Sequence, residues 1–195
     1  MILGIIIGFI VAVIRSTADH TGKWKIANCL CKIYLTVIRG TPVVVQLMII
    51  YFVIFSALDV SKVLVAILAF GLNSGAYVAE IIRGGLMALD PGQMEAGRSL
   101  GLGYVDTMRF IVIPQAFKSV LPALGNEFIV LLKDTSLISV IGGKELLYFA
   151  QGITTRTYEQ MFPLVGTAVI YLILVMIFTW CVNILERRLR QGDRY

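Results

Sequence analysis

Ionisable side chains are scarce in the apolar stretches of this 195-residue chain, so those that fall there are the first candidates for chemistry. The run Leu121–Ile141 contains Asn126, Glu127, Lys133, Asp134 and Ser136. An ionisable group near the centre of a bilayer costs at least about 2.5 kcal/mol on insertion scales, so such groups face a protein interior or a wet cavity. Glu127 and Asp134 are seven positions apart, two helical turns along one face. Lys133 sits roughly 100° around the helix from Asp134 and does not readily neutralise both carboxylates. Two readings follow. Glu127 and Asp134 line a path that favours a cationic solute, or they are held in interhelical or inter-subunit salt bridges with Lys133. A second polar set, Asn73, Tyr77 and Glu80, follows i, i+4, i+7 spacing and shares one helix face. That face either touches solute or a gate, or packs on another helix. Gly71, Ser74, Gly75, Ala76 and Ala79 around it are the small residues that let membrane helices approach.

Other chemistries fail on spacing. Cys29 and Cys31 are too close together for the usual zinc pattern, and the lone His20 is not placed to complete a site. The cysteines, Cys181 included, read as small apolar side chains, with no disulfide framework. Gly143-Lys144 suggests a phosphate loop, but that pattern needs a glycine where Ile138 stands and Ser or Thr where Glu145 stands. No serine–histidine pair or convergent acid–base set is present. The net charge of +5 is not gathered into a basic stripe with aromatics, so a nucleic-acid partner is not expected. No enzyme activity is expected of this chain, and no metal or cofactor bound to it.

The elements that carry these residues are membrane helices. The chain is 58% hydrophobic and 15% charged, with mean hydropathy +0.86. Soluble domains carry roughly 25% charged residues. An all-α integral membrane protein with five transmembrane helices is predicted, as a single domain over 1–195. The first, Ile2–Ile14, spans only about 20 Å of a core about 30 Å thick. Either more chain precedes it or neighbours complete it. It has no charged leading region and no small-residue cleavage site, which makes it a poor signal peptide. Arg15–Arg39 reads as an amphipathic surface segment. Thr41 and Pro42 read as the cap and first position of the second span, Val43–Leu58, in which Gln46 is the one strongly polar break. The third, fourth and fifth spans are Val63–Ile82, Leu121–Ile141 and Phe162–Leu185. Gly142–Gln160 reads as a polar loop or short re-entrant piece, with Glu145, Arg156 and Glu159 free to meet a delivering protein or close an outer gate.

Between the third and fourth spans lies the longest stretch that cannot cross a membrane, Asp90–Pro122. Asp90 is a good N-cap, Pro91 suits the first helical position, and Gln93 stands where a capping-box partner would. A short helix through Glu95, Ala96 and Arg98 should end at Gly101 and Gly103. A second helix, Tyr104–Ile113, should stop at Pro114. The result is a bent two-helix elbow outside the bilayer.

Glu95-Ala96-Gly97, then Gly101, then Ile111, Ile113 and Pro114 resemble the EAA loop of ATP-binding-cassette importer permeases. The spacing fits throughout, with Gly97 in place of the second alanine and Ile113 in place of leucine. Arg39-Gly40-Thr41-Pro42 and the run Gly71–Glu80 resemble the branch that takes up polar amino acids such as histidine, arginine and glutamine. The resemblance covers nearly the whole chain. It implies a type I importer fold in which the loop, about residues 90–122, is a coupling helix docking on a cytoplasmic ATPase. Glu95 would be its charged anchor, Ala96 and Gly97 its small contacts, and Gly101 its turn. ATP and magnesium would sit on two partner ATPase subunits. An extracytoplasmic amino-acid-binding protein and membrane lipid complete the partners.

Charge sets the orientation. Arg15, Lys23, Lys25, Lys32, Arg39, Arg83, Arg98, Arg109, Lys118, Arg187, Arg188, Arg190 and Arg194 fall on one side of a five-span chain. Lys62, Lys144 and Arg156 fall on the other. The positive-inside rule puts the elbow and C-terminus in the cytoplasm and the N-terminus outside, in a bacterial inner membrane. Five helices form too thin a wall to enclose a path, so a second permease chain is expected, a copy or a close paralogue. Glu127 and Asp134 lean the reading toward arginine, histidine or lysine as solute, with Asn73 and Tyr77 as further pathway candidates. The alternative is a stand-alone channel or secondary transporter, which would predict internal repeats or discontinuous helices in two halves. No repeat is visible.

Overall fold

The computed structural model describes residues 1–191. Arg194 lies outside them, as do the side chains of His20 and Arg190. The described residues form helices and no strand: α1 (Ile2–Thr21), α2 (Lys25–Gly40), α3 (Val43–Ile49), α4 (Lys62–Met87), α5 (Gly92–Ser99), α6 (Tyr104–Thr107), α7 (Ile113–Asp134), α8 (Leu146–Thr157) and α9 (Met161–Gln191). Single π-helical turns extend α3 through Ile54 and join α6 to α7, and a 3-10 stretch follows α7.

The spans differ from expectation in informative ways. The first helix does not stop at Ile14. It runs 20 residues, about 30 Å, and ends where Gly22 turns left-handed at φ 66°. Three helices are long and apolar enough by themselves to cross a membrane: Ile2–Asp19, Lys62–Met87 and Met161–Leu189. The expected second span is half of a bent pair, α2 and α3, whose axes meet at 107°. The expected fourth span, α7, contains Lys118, Glu127, Lys133 and Asp134, and those charges set it apart from the other three.

α4 is the hub. Leu3, Gly4, Ile7 and Gly8 of α1 lie against Gly71, Ser74, Gly75 and Val78 of α4. The numbers rise together, so the two helices run parallel. Each presents two glycines four apart, and each glycine receives a side chain or backbone from the other helix. A Cβ on Gly8 would stand 2.5 Å from Val78 Cγ1 and 2.9 Å from the Ala79 backbone nitrogen; one on Gly71 would stand 2.5 Å from Leu3 Cδ2. Dispersion is the main attraction available between helices in lipid, so backbones that close are a large share of what holds the pair. α7 runs antiparallel to α4, with Val120 at Gly85 and Glu127 beside Ser74. α9 runs antiparallel to α7: Val182 packs at Gly125, and the Phe128 and Phe178 rings meet edge-on at 5.1 Å.

Gln46 explains the bend between α2 and α3. Pro42, not Thr41, is the residue flanking α3, and Thr41 instead donates its hydroxyl to Val37 O. Gln46 Nε2 lies 2.8 Å from Ile38 O, 3.1 Å from Thr41 O and 2.8 Å from Thr41 Oγ1, so its two hydrogens serve three oxygens. Its Oε1 accepts from Asn73 Nδ2 of α4 at 3.0 Å. One buried amide thus satisfies the carbonyls that the bend exposes and ties the corner to the hub.

Residues 142–160, expected as a polar loop or short re-entrant piece, contain a regular helix, α8. Glu145 accepts hydrogen bonds from the backbone N–H of Leu147 and Tyr148 at 2.8 and 2.7 Å, which caps α8. Tyr171 of α9 donates to the same carboxylate.

Gly8→Ile should cost about 2–3 kcal/mol through overpacking, enough to lower the thermal midpoint of the purified protein by about 4–12 °C. Gly152→Ala, in open space on α8, should leave it unchanged or slightly raised, by up to about 1 kcal/mol. Scanning fluorimetry of both variants in one detergent is the measurement.

Candidate coupling surface and polar interior

The elbow begins one residue later than its sequence suggests. α5 starts at Gly92 with Pro91, not Asp90, as the residue flanking it; Asp90 stands one position outside and accepts the Gly92 N–H at 2.8 Å in an Asx turn. Gln93 forms no capping box; its Oε1 accepts from Gln115 Nε2 at 3.0 Å, fastening α5 to the root of α7. Gly101 takes φ 80°, as its place at the end of α5 requires, while Gly103 is extended at φ −69°. Pro114 does not stop the second helix. The π turn Met108–Val112 lets the Ile113 N–H reach back to Met108 O, and the chain stays helical from Tyr104 to Asp134. A widened turn just before Pro114 gives its ring room and passes over its missing donor.

The four elbow residues divide between two sides. Glu95 and Ala96 are exposed on α5. Gly97 is buried and faces Thr107, which is itself fully buried and donates its hydroxyl to Gly103 O at 2.9 Å. A Cβ on Gly97 would stand 2.5 Å from Thr107 Cγ2. Gly97 is therefore the close contact that folds the elbow, and Glu95 and Ala96 are what it offers outward. Leu100, Val105 and Phe110 are exposed beside them, at 78%, 72% and 64%, a hydrophobic rim that the sequence reading did not single out.

The interior polar residues are brought together only in part. Glu127 is buried between α7 and α4, on the side of α7 that meets Ser74. Asp134 is half-buried at the end of α7, and Lys133 is exposed. No ion pair joins Lys133 to either carboxylate among the described residues. Asn73 is turned toward α3 and held by Gln46. Tyr77 lies under the Arg39 guanidinium, 5.7 Å from its ring centroid. These four residues do not share one pocket.

Glu80 is surrounded by arginines. Arg15 of α1 approaches it at 2.6 Å, Arg39 of α2 at 3.4 Å and Arg83 of its own helix at 3.3 Å. The face Asn73–Tyr77–Glu80 thus spends its polarity on α1, α2 and α3. Gln46 is visible as a polar break in an apolar run; no local pattern announces Arg15, whose partner is 65 positions away. No cluster of three or more metal-ligating side chains occurs among the described residues.

Comparison with known proteins agrees with this geometry. Residues 4–191 match the family described as binding-protein-dependent transport system inner membrane component. The chain is 38% identical over 192 residues to the glutamine transport system permease protein GlnP of Escherichia coli (strain K12), covering 97% of this chain and 87% of that protein. It is 37% identical over 194 residues to the arginine transport system permease protein ArtQ of Bacillus subtilis (strain 168), covering 98% and 86%. Its fold superposes with TM-score 0.88 and 40% identity on a chain from the crystal structure of an amino acid ABC transporter with histidines, covering 95% of this chain and 85% of that one. A chain of the inward-facing MetNI methionine ABC transporter shares the fold alone, at TM-score 0.76 and 18% identity, over 96% of this chain and 88% of that one.

Gly97→Ala should destabilise the elbow by about 1–3 kcal/mol, and adding Thr107→Ala should recover about 1 kcal/mol of that loss although each change alone is destabilising. A double-mutant cycle on thermal midpoints checks the coupling. Additive losses would place Gly97 and Thr107 out of contact.

Proposed function

The chain belongs to the binding-protein-dependent transport system inner membrane component family, and on that premise we propose that it is the permease subunit of an ATP-driven importer of a polar amino acid, with basic amino acids favoured. The observation that carries the proposal is the elbow: a glycine-turned helix that exposes Glu95 and Ala96, with exposed apolar residues nearby in sequence, on a chain whose Gly143-Lys144 step fails as a nucleotide site. Energy then has to arrive as force from a partner. Two ATPase subunits grip two elbows, one from this chain and one from a second permease chain, and their closure rocks the spans between inward-facing and outward-facing states. ATP and magnesium are held by those partners, and a binding protein outside the membrane delivers the solute. A stand-alone channel is not carried forward, because no internal repeat supports it and the one bent pair among the described residues, α2 and α3, has no counterpart in the second half of the chain.

The orientation places the elbow and C-terminus in the cytoplasm and the N-terminus outside. The excess of Lys and Arg on the elbow side supports it. The parallel packing of α1 and α4 is consistent with the first and third spans running the same way, whichever side is the cytoplasm. Glu127, with Asp134 two turns along the same helix, selects cationic solute as α7 moves relative to α4. Asn73 and Tyr77 enter the path only when their contacts with Gln46 and Arg39 open. The similarity to permeases named for glutamine as well as arginine makes the side-chain charge of the solute the point to test.

In proteoliposomes containing the chain, its ATPases and its binding protein, uptake of labelled arginine should require ATP and be competed by basic amino acids. Glu127→Gln should lower the preference for cationic over neutral amino acids by about ten- to a hundred-fold, the worth of one charge-assisted hydrogen bond. Unchanged arginine uptake by that variant ends the assignment of Glu127. Gly101→Asp should insert normally and abolish uptake while the ATPase still turns over; full transport by it ends the role of the elbow.

A further inference from the structure

The arginines around Glu80 are more than one carboxylate needs. Arg15, Lys32, Arg39 and Arg83 line a cleft of about 510 Å³ together with Glu80 and the backbone of α2. Four cations face one anion. Three guanidiniums offer five N–H donors each, whereas a carboxylate accepts at about four positions. Buried Nε atoms of Arg15 and Arg83 have no hydrogen-bond partner among the described residues, and Lys32 makes no ion pair there. The cleft carries uncompensated positive charge.

Its position is equally specific. α1 and α4 are parallel spans, and Arg15, Glu80 and Arg83 lie toward their C-terminal ends, so the cleft opens at one edge of the bilayer. The wall of the cleft is α2, bent 107° from α3. Cys31 and Leu35 of α2 are buried against α1 and α4, and its Tyr34 hydroxyl donates to Leu72 O. One flank presents Lys32, Thr36 and Arg39 to the cleft. The other presents Ile26, Leu30, Ile33 and Val37, exposed at 81%, 62%, 54% and 54%. These four follow i, i+4, i+7, i+11 spacing, a single stripe. A helix with a basic flank and an apolar flank, set across the C-terminal halves of two spans, is of the kind that lies near the membrane interface.

We propose that this cleft binds the phosphate headgroup of an anionic phospholipid, with the acyl chains laid against the Ile26–Leu30–Ile33–Val37 stripe. The phosphate oxygens supply the acceptors that Glu80 lacks, and the stripe distinguishes a lipid from a free phosphate by giving its chains a place to lie. The bound headgroup would join α1, α2 and α4 at the corner where α2 turns into α3. The proposal rests on membrane insertion alone, so failure of the assigned solute would leave it intact.

The test is native mass spectrometry of the full chain in mild detergent, titrated separately with phosphatidylglycerol, phosphatidylcholine and inorganic phosphate. Phosphatidylglycerol should be retained at least ten-fold more tightly than phosphatidylcholine, and inorganic phosphate at the same concentration should not displace it. Lys32→Ser should weaken phosphatidylglycerol about five-fold and Lys32→Ser with Arg39→Ser about thirty-fold, from about a factor of five per basic side chain at an anionic surface. Lys144→Ser with Arg156→Ser, remote from the cleft, should change nothing. Should the double variant fail to fold, the single change at exposed Lys32 carries the comparison. Equal retention of both lipids, insensitivity to the Lys32 change, or displacement by inorganic phosphate would each overturn the proposal.

Discussion

The contact on which the rest depends is the reciprocal fit of α1 and α4. Two glycines on each helix bring the backbones close enough that Val78 and Ala79 occupy the space a side chain at Gly8 would need. In lipid no hydrophobic difference drives two apolar helices together, so close packing has to supply the attraction. Once α1 is fixed along α4, Arg15 reaches Glu80, and α2 is drawn across their ends by Tyr34 and Arg39. α7 then seats on the remaining side of α4, and α9 on α7.

Much of this organisation is legible locally. The apolar runs, the small-residue stripe of α4, the glycine turn at Gly101 and the family of the chain follow from spacing in the sequence. What fails to show there is of two kinds, distant partners and local alternatives. Arg15 reads as the first residue of a surface segment and becomes the tightest partner of Glu80. Pro114 reads as a helix stop and is accommodated, because a π turn just before it needs only an i−5 carbonyl in reach. Glu145 reads as a residue free to meet a partner and is instead consumed in capping α8. Arg15 meets a neighbour that no window of the sequence contains, whereas the turn before Pro114 and the cap of Glu145 close within five residues, as local alternatives that propensity alone does not rank.

The candidate site shows the same division. Glu95 and Ala96 stand exposed on the elbow. Gly97, one position on, serves the fold by admitting Thr107. The i, i+4, i+7 face of Asn73, Tyr77 and Glu80 is real as geometry, but its three members bond to three different helices. Periodicity identifies which residues share a face; it carries no information about what that face meets.

Stiffness is unevenly distributed as a result. The Gln46 amide clamps α2, α3 and α4 into one block, and the shared Glu145 carboxylate rivets α8 to α9. Between those two blocks runs α7, packed on the first at Gly85 and on the second at Gly125 and Phe178. The elbow is tied to both sides of this arrangement: to α4 by the four residues 88–91 and to the root of α7 by the Gln93–Gln115 bond. Two hydrogen-bonded blocks thus flank a helix held mostly by packing.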